Sequence, residues 1–469
     1  MPDKYHIKTV PVAGRFRWVG KFGSVDWRED CARCTNCVKP RCVYDVYKNE
    51  TAHNRDPLSA IQTHYACKAC FSCVQGCTKG LLSLGVNPEF LDLGDDYWRP
   101  DMLATTWNQA DTGRIPVSGA GYRGRFSGPG FDSIWTDMSE IVRPTRDGIH
   151  GREYISTMVE IGTKPMRLAF SADGKMTCAG AALVEIQLPA ILDLPQWSMP
   201  GSALTLARVA AAKKLHTLAV VEAEQVAQIP AEQVDGIVPL VTDEKALAAF
   251  AKVLPRVRLA EVAGPEAHAL ARKIAEINPR AVVALRLELA AGAAEQVSQL
   301  AADTFKVFHL CADLHGCETL ADGSRGRHIK DVLREIHGRL VKDGRRDEIT
   351  LIVGGGIALA EHMAKAIICG ADLVAVNTAL LVSLGCRVCG HDLRTHERKS
   401  DLCPAGLETL DPVYAAQRMV NLMGAWHSQM IEVLGAMGIR EIRRLRGEVG
   451  RAMFLEDIEK EAFGDLVRK

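Results

Sequence analysis

The chain carries no excess of either charge: Lys+Arg and Asp+Glu are each 57 in 469 residues, so the net charge is zero. A balanced chain has no global field to draw in nucleic acid. Its one local basic stretch, Arg440, Arg443, Arg444, Arg446 and Arg451, reads as a solvated helix face or a partner contact. No apolar run reaches the ~18 residues that a bilayer crossing needs. Nor does an apolar segment follow the charges of residues 1–10, so neither a membrane span nor a secretory signal is expected. The expected compartment is a reducing cytoplasm. Hydrophobic content (47%) and charged content (24%) are ordinary, and the length suits two or three domains.

Cysteine is the residue in surplus. There are 15, and most are clustered. In a reducing compartment that spacing favours metal ligation over disulfides. Cys31, Cys34, Cys37 and Cys42 form C-x2-C-x2-C-x4-C, and Cys67, Cys70, Cys73 and Cys77 form C-x2-C-x2-C-x3-C. Two-residue gaps let three thiolates of one loop hold three corners of a cubane, with the fourth ligand supplied by the other run, as in two-cluster bacterial ferredoxins. The expected groups are two [4Fe-4S] clusters, one on Cys31, Cys34, Cys37 and Cys77, the other on Cys67, Cys70, Cys73 and Cys42. Structural zinc is the competing reading, but it needs only four ligands per site. Val43 and Thr78 stand where such ferredoxins place proline after the last cysteine.

Composition divides the chain into a cysteine-rich part at 1–90, an irregular Gly-, Pro-, Trp- and Arg-rich connector at 91–165, a regular part at 166–411 and a helical extension at 412–469. The regular part alternates short apolar runs with stretches of helical period. Strands are expected at Leu183–Leu188, Thr217–Val221, Gly236–Leu240, Val257–Val262, Ala281–Leu287, Lys306–Leu310, Ile349–Val353 and Leu373–Val376. The clearest helices are Ala203–Leu215, Asp243–Val253 (with Thr242 as cap), Pro265–Ile277 and Ile329–Val341. Continuous apolar strands separated by helices mean a parallel sheet covered by helices. Eight such units fit a closed (β/α)8 barrel, with a doubly wound open sheet as the alternative. The expected class is therefore α/β: a TIM barrel preceded by a small ferredoxin-like α+β domain and followed by a helical tail.

In such barrels the loops after strands seven and eight often cradle phosphate. Here strand seven runs into Gly354, Gly355 and Gly356, whose backbone N–H groups can approach an anion closely. Strand eight runs into Asn377 and Thr378, which could complete the cradle. At the end of strand six, His309, Asp313, His315 and Glu318 gather on the rim that hosts active sites in this fold, followed by Arg325 and Arg327. Asp313 and His315 are the expected proton-handling pair and Arg327 the anion binder. Lys365 reads as a surface charge. Cys178, Cys311, Cys317 and Cys369 read as isolated buried thiols.

Past strand eight lie Cys386, Cys389 and Cys403. The run GADLVAVNTALLVSLGC, with CPAGLETLDP beyond it, resembles the FMN-binding synthase domain of glutamate synthases, as do VGGGIALAEHMAKAIICGADLV and the lead-in FSGPGFDSIWTDMSEIVRPTRDGIHGREYIST. A ferredoxin-like N-terminus followed by a barrel is similar to the archaeal-type members. The resemblance implies FMN, with its phosphate at Gly354, Gly355, Gly356, Asn377 and Thr378. It also implies a third iron–sulfur cluster (3Fe-4S or 4Fe-4S) at Cys386, Cys389 and Cys403. The inserted Gly390–Lys399, with His391 and His396, leaves zinc open there. The family's DGGTGA-type stretch is replaced by LCADLHGCETLADGSRGRHIKD, and the first cysteine is Cys31 rather than a terminal glutaminase nucleophile. The function that the resemblance implies is that of an iron–sulfur flavoprotein oxidoreductase. It would work with other redox subunits, a ferredoxin or an NAD(P)H-oxidising partner, and act on a small-molecule substrate. Two alternatives stand beside it: a non-catalytic electron-transfer subunit, and a subunit of a related N-methyl-transfer enzyme.

Overall fold

A computed structural model describes residues 5–15, 19–28, 30, 38–45, 70–115, 128–136, 154–163, 170–176, 182–195, 203–388, 405–407 and 410–464. The chain divides into two compact units. One comprises 1–13, 106–386 and 390–469, and the other 14–105 and 387–389.

The larger unit is built on a closed eight-stranded parallel barrel. Its strands are β1 (Ala190–Leu192), β2 (Ala219–Val221), β3 (Ile237–Val241), β4 (Leu259–Val262), β5 (Val282–Glu288), β6 (Val307–Cys311), β7 (Thr350–Gly354) and β8 (Leu373–Val376). Strand β8 closes the ring on β1, with Val374 opposite Ala190 and Val376 opposite Leu192. Most residues of the strands are apolar and buried, as a sheet enclosed by helices requires.

Seven of the eight expected strands lie in the barrel. The first does not. Leu183–Ile186 alternates exposed and buried side chains and pairs antiparallel with Val159–Gly162, outside the barrel. The wall strand is the three-residue Ala190–Leu192 that comes next. The helices fall close to expectation at Ala203–Lys214, Glu244–Phe250, Ala267–Ile277 and Ile329–Lys342. Asp243 caps the second of them, its carboxylate accepting from Ala246 N at 2.7 Å, in place of the expected Thr242. The stretch 91–165, expected to be irregular, contains a thirteen-residue helix at Pro100–Thr112.

After the barrel, Asp411 caps a 25-residue helix, Pro412–Ala436, with Pro412 in its first turn. That helix covers Ala360–Cys369, the helix after β7, whose every residue is buried. Lys365 lies on it fully buried, not at the surface. The basic stretch is largely paired: Arg443 bonds Glu160, and Arg446 bonds Asp347 and Asp372.

The smaller unit pairs Phe22–Trp27 antiparallel with Leu82–Val86 and carries three one-turn helices, Val38–Arg41, Ser72–Gln75 and Pro88–Leu91. No described helix is long and apolar enough to cross a membrane.

Candidate functional site at the barrel mouth

The C-terminal ends of β7 and β8 are neighbours, with Gly354 opposite Ala375. Beyond β7 the chain turns through Gly355 (φ 96°) and Gly356 (φ 66°), left-handed conformations that favour glycine. A side chain at Gly355 would place its Cβ 2.6 Å from Ala312 O and 2.7 Å from Asp313 O. Glycine there lets this loop lie directly against the loop after β6. Beyond β8, Asn377 accepts from Thr378 N at 2.6 Å and caps the short helix Thr378–Ser383. Among the described residues, the buried Thr378 Oγ1 has no hydrogen-bond partner. A buried hydroxyl without a partner is costly unless a ligand completes it. The donor set therefore suits a phosphate.

The glycine loop is braced from behind. Ala358 N donates to His362 Nδ1 at 3.2 Å, so the ring proton sits on Nε2, 2.9 Å from Asp132 Oδ1. Asp132 belongs to the lead-in segment. Its neighbour Phe131 packs edge-on against His328, centroids 4.9 Å apart.

The loop after β6 is a small hairpin, Cys317–Thr319 with Arg325–His328. Asp313 folds it. One carboxylate oxygen accepts from His315 N (2.9 Å) and Cys317 N (2.7 Å), and the other from Arg325 Nε (3.0 Å). Arg327 is gripped by Glu318 (3.0 Å) and Glu335 (2.9 Å). His315 is buried. The expected trio thus shares one loop, with Asp313 and Arg327 engaged in holding that loop's shape.

Deeper in the mouth lies a polar cluster that sequence reasoning misses, His309 apart. Asp193 follows β1, Glu261 stands in β4, Arg286 in β5 and His309 in β6. Arg286 holds Asp193 bidentately at 2.8 and 3.0 Å and reaches Glu261 at 3.1 Å. His309 Nδ1 lies 2.8 Å from Glu261 Oε1. Burial would raise the Asp193 carboxyl, but the charges of Arg286 and His309 bring it down to about 2. Burial likewise opposes charge on His309, and the neighbouring Cys311 and Glu261 overcome it, pushing the imidazole up. The sequence signal was a charged or titratable residue between apolar neighbours in three strands: Glu261 in LAEV, Arg286 in VVALRLE and His309 in VFHLC.

Of the cysteines, Cys42, Cys70, Cys73, Cys77 and Cys386 are described. Cys31, Cys34, Cys37, Cys67, Cys389 and Cys403 lie outside the described residues. Leu81 N donates to Cys77 Sγ at 3.3 Å, which lowers that thiol. Hydrogen bonds from the Ser72 backbone and hydroxyl lower Cys70 in the same way. Donors aimed at sulfur favour the thiolate that a cluster or a metal needs. Cys311 and Cys369 are buried, Cys317 is half-buried, and Cys178 lies outside the described residues.

Comparison with known proteins agrees with this geometry. Residues 320–440 match the family model described as a conserved region in glutamate synthase. The archaeal-type glutamate synthase [NADPH] of Dehalococcoides mccartyi is 24% identical over 477 residues, covering 90% of this chain and 93% of that protein. The archaeal glutamate synthase [NADPH] of Methanocaldococcus jannaschii is 39% identical over 144 residues, covering 29% of this chain and 27% of that protein. Among solved structures, a flavocytochrome b2 mutant with pyruvate bound aligns over 69% of this chain and 81% of that chain, at a TM-score of 0.39 and 12% identity, too distant to add to the assignment. Both the match over residues 320–440 and the near-full-length similarity are to glutamate synthases.

Proposed function

We propose that this chain is an iron–sulfur flavoprotein oxidoreductase of the glutamate-synthase type, with FMN at the barrel mouth and ferredoxin-type clusters in the smaller unit. The observation that carries the reading is the pair of adjacent loops after β7 and β8. Gly355 lets the first loop lie directly against the loop after β6, and Thr378 supplies a buried hydroxyl with no partner among the described residues. Asn377 shapes the second loop, and the Asp132–His362 pair fixes the first. Bound FMN supplies the exchange between two-electron and one-electron chemistry.

At the rim, we assign proton handling to His315. Asp313 orients its backbone, and Arg327 in the same loop is held by Glu318 and Glu335. In the smaller unit, Cys31, Cys34, Cys37 and Cys77 would hold one [4Fe-4S] cluster, and Cys42, Cys67, Cys70 and Cys73 the other. The N–H donor on Cys77 supports that reading. Cys386, Cys389 and Cys403 would hold a third cluster, or zinc. The relatives' names carry NADPH, which supports a partner subunit that oxidises reduced nicotinamide. We place the protein in the cytoplasm, inside a larger redox complex acting on a small-molecule substrate.

The test is reconstitution. Protein stripped of flavin and incubated with FMN should regain about one equivalent per chain. Gly355→Ala should lose it, because the new methyl meets two backbone oxygens. A wild-type chain that takes up no FMN would sink the reading.

A further inference from the structure

We propose that the floor of the barrel mouth is a transition-metal site, best matched by zinc, formed by Asp193, His309 and Cys311. One oxygen, one nitrogen and one sulfur from these three lie within 4.8 Å of one another, and all three residues are buried. They converge from the residue after β1 and from β6, strands on different parts of the ring, and not from one loop. Around tetrahedral zinc, ligand atoms stand roughly 3.3–3.8 Å apart, so a contraction of about 1 Å closes the set.

Two further observations point to a ligand here. His309 Nε2 is fully buried and has no hydrogen-bond partner among the described residues, and Asp193 Oδ2 stands 3.8 Å from it. The other ring nitrogen is held by Glu261 at 2.8 Å. That is the carboxylate–histidine arrangement that turns Nε2 toward a metal. The second observation is Gly354. Its backbone is not left-handed, so conformation does not demand glycine. A Cβ there would stand 3.2 Å from His309 Nε2. Glycine keeps the space beside that nitrogen open.

Arg286 is the obvious objection, a cation bidentate on Asp193. Counting charge answers it. Zn2+ binds the neutral imidazole and the thiolate, so any proton that His309 Nε2 or Cys311 Sγ carries leaves to solvent, and no electron moves. With the ion in place, Zn2+, Arg286, Asp193, Glu261 and the Cys311 thiolate sum to zero, and Arg286 balances the surplus carboxylate. An oxygen, nitrogen and sulfur donor set suits zinc rather than calcium or magnesium. Three protein ligands leave a fourth position for water or a substrate oxygen. Within the cluster, Arg286 is the most exposed member, so that position would be reached from its side.

This site does not depend on the flavin reading, and its test reads metal rather than activity. Chelator-treated protein, with its iron and sulfide quantified, is titrated with Zn2+. Wild type should bind about one equivalent more than Cys311→Ser or His309→Gln. Cys317→Ser, a control thiol on the neighbouring hairpin, should match wild type. Because the cluster cysteines are shared by all four proteins, they cancel in the difference. Co2+ gives a second readout: wild type minus Cys311→Ser should show thiolate charge-transfer and tetrahedral d–d bands. If His309→Gln fails to fold, the single-atom change at Cys311 decides. Equal zinc uptake by wild type and Cys311→Ser, with no cobalt difference bands, overturns the proposal.

Discussion

His362 Nε2 stands 2.9 Å from Asp132 Oδ1, and this buried pair ties the lead-in segment to the glycine loop after β7. The residues are 230 positions apart. Cutting the ring away leaves a buried carboxylate and the Ala358 N–H without their partner. His362→Ala should therefore destabilise the larger unit by about 3 kcal/mol. Asp132→Asn keeps an acceptor and should cost less. Thermal melts of the two variants check the order.

Thr378→Val separates ligand binding from folding. Valine has nearly the shape of threonine, and the hydroxyl it removes has no partner among the described residues. Stability of the flavin-free protein should stay level or rise, while FMN affinity falls about tenfold, the value of one hydrogen bond to a charged group. A parallel loss of stability would show the hydroxyl to be structural.

Arg286→Met should be severe. It leaves the carboxylates of Asp193 and Glu261 buried without their cation. Breaking such a pair from one side costs roughly 3–5 kcal/mol. Urea midpoints measure the loss. Asp193→Asn in the same background should recover part of it.

His328 makes the fold acid-sensitive. Burial, with Lys330 and His362 nearby, holds its imidazole down at about 3, against about 6.5 in an unfolded chain. As pH falls below about 6.5, the unfolded chain takes up a proton that the folded chain refuses. Stability therefore drops by about 1.4 kcal/mol per pH unit down to about 3. Asparagine can still cap the helix that His328 starts by accepting from Lys330 N. His328→Asn should flatten that acid limb, as denaturant titrations across pH would record.

The barrel was legible wherever a strand was a continuous apolar run, as in Ile349–Val353 and Leu373–Val376. Strand β1 was not. Three residues, Ala190–Leu192, carry little period, and the stronger-looking Leu183–Ile186 beside them is spent on an outer hairpin. The phosphate loops were legible because glycines follow one strand and Asn-Thr the next. The interior cluster was not, since Asp193 comes from the end of one strand and Glu261, Arg286 and His309 from three others, and they meet only when the ring closes. Lys365 looked solvated because its helix must be seen under Pro412–Ala436 before its burial makes sense.

The most direct measurement is the iron, acid-labile sulfide, zinc and released flavin per chain of anaerobically purified protein. An iron–sulfur flavoprotein should yield one FMN with about eight iron and eight sulfide, rising to eleven or twelve iron if Cys386, Cys389 and Cys403 hold a third cluster. Zinc without sulfide and without flavin would contradict it.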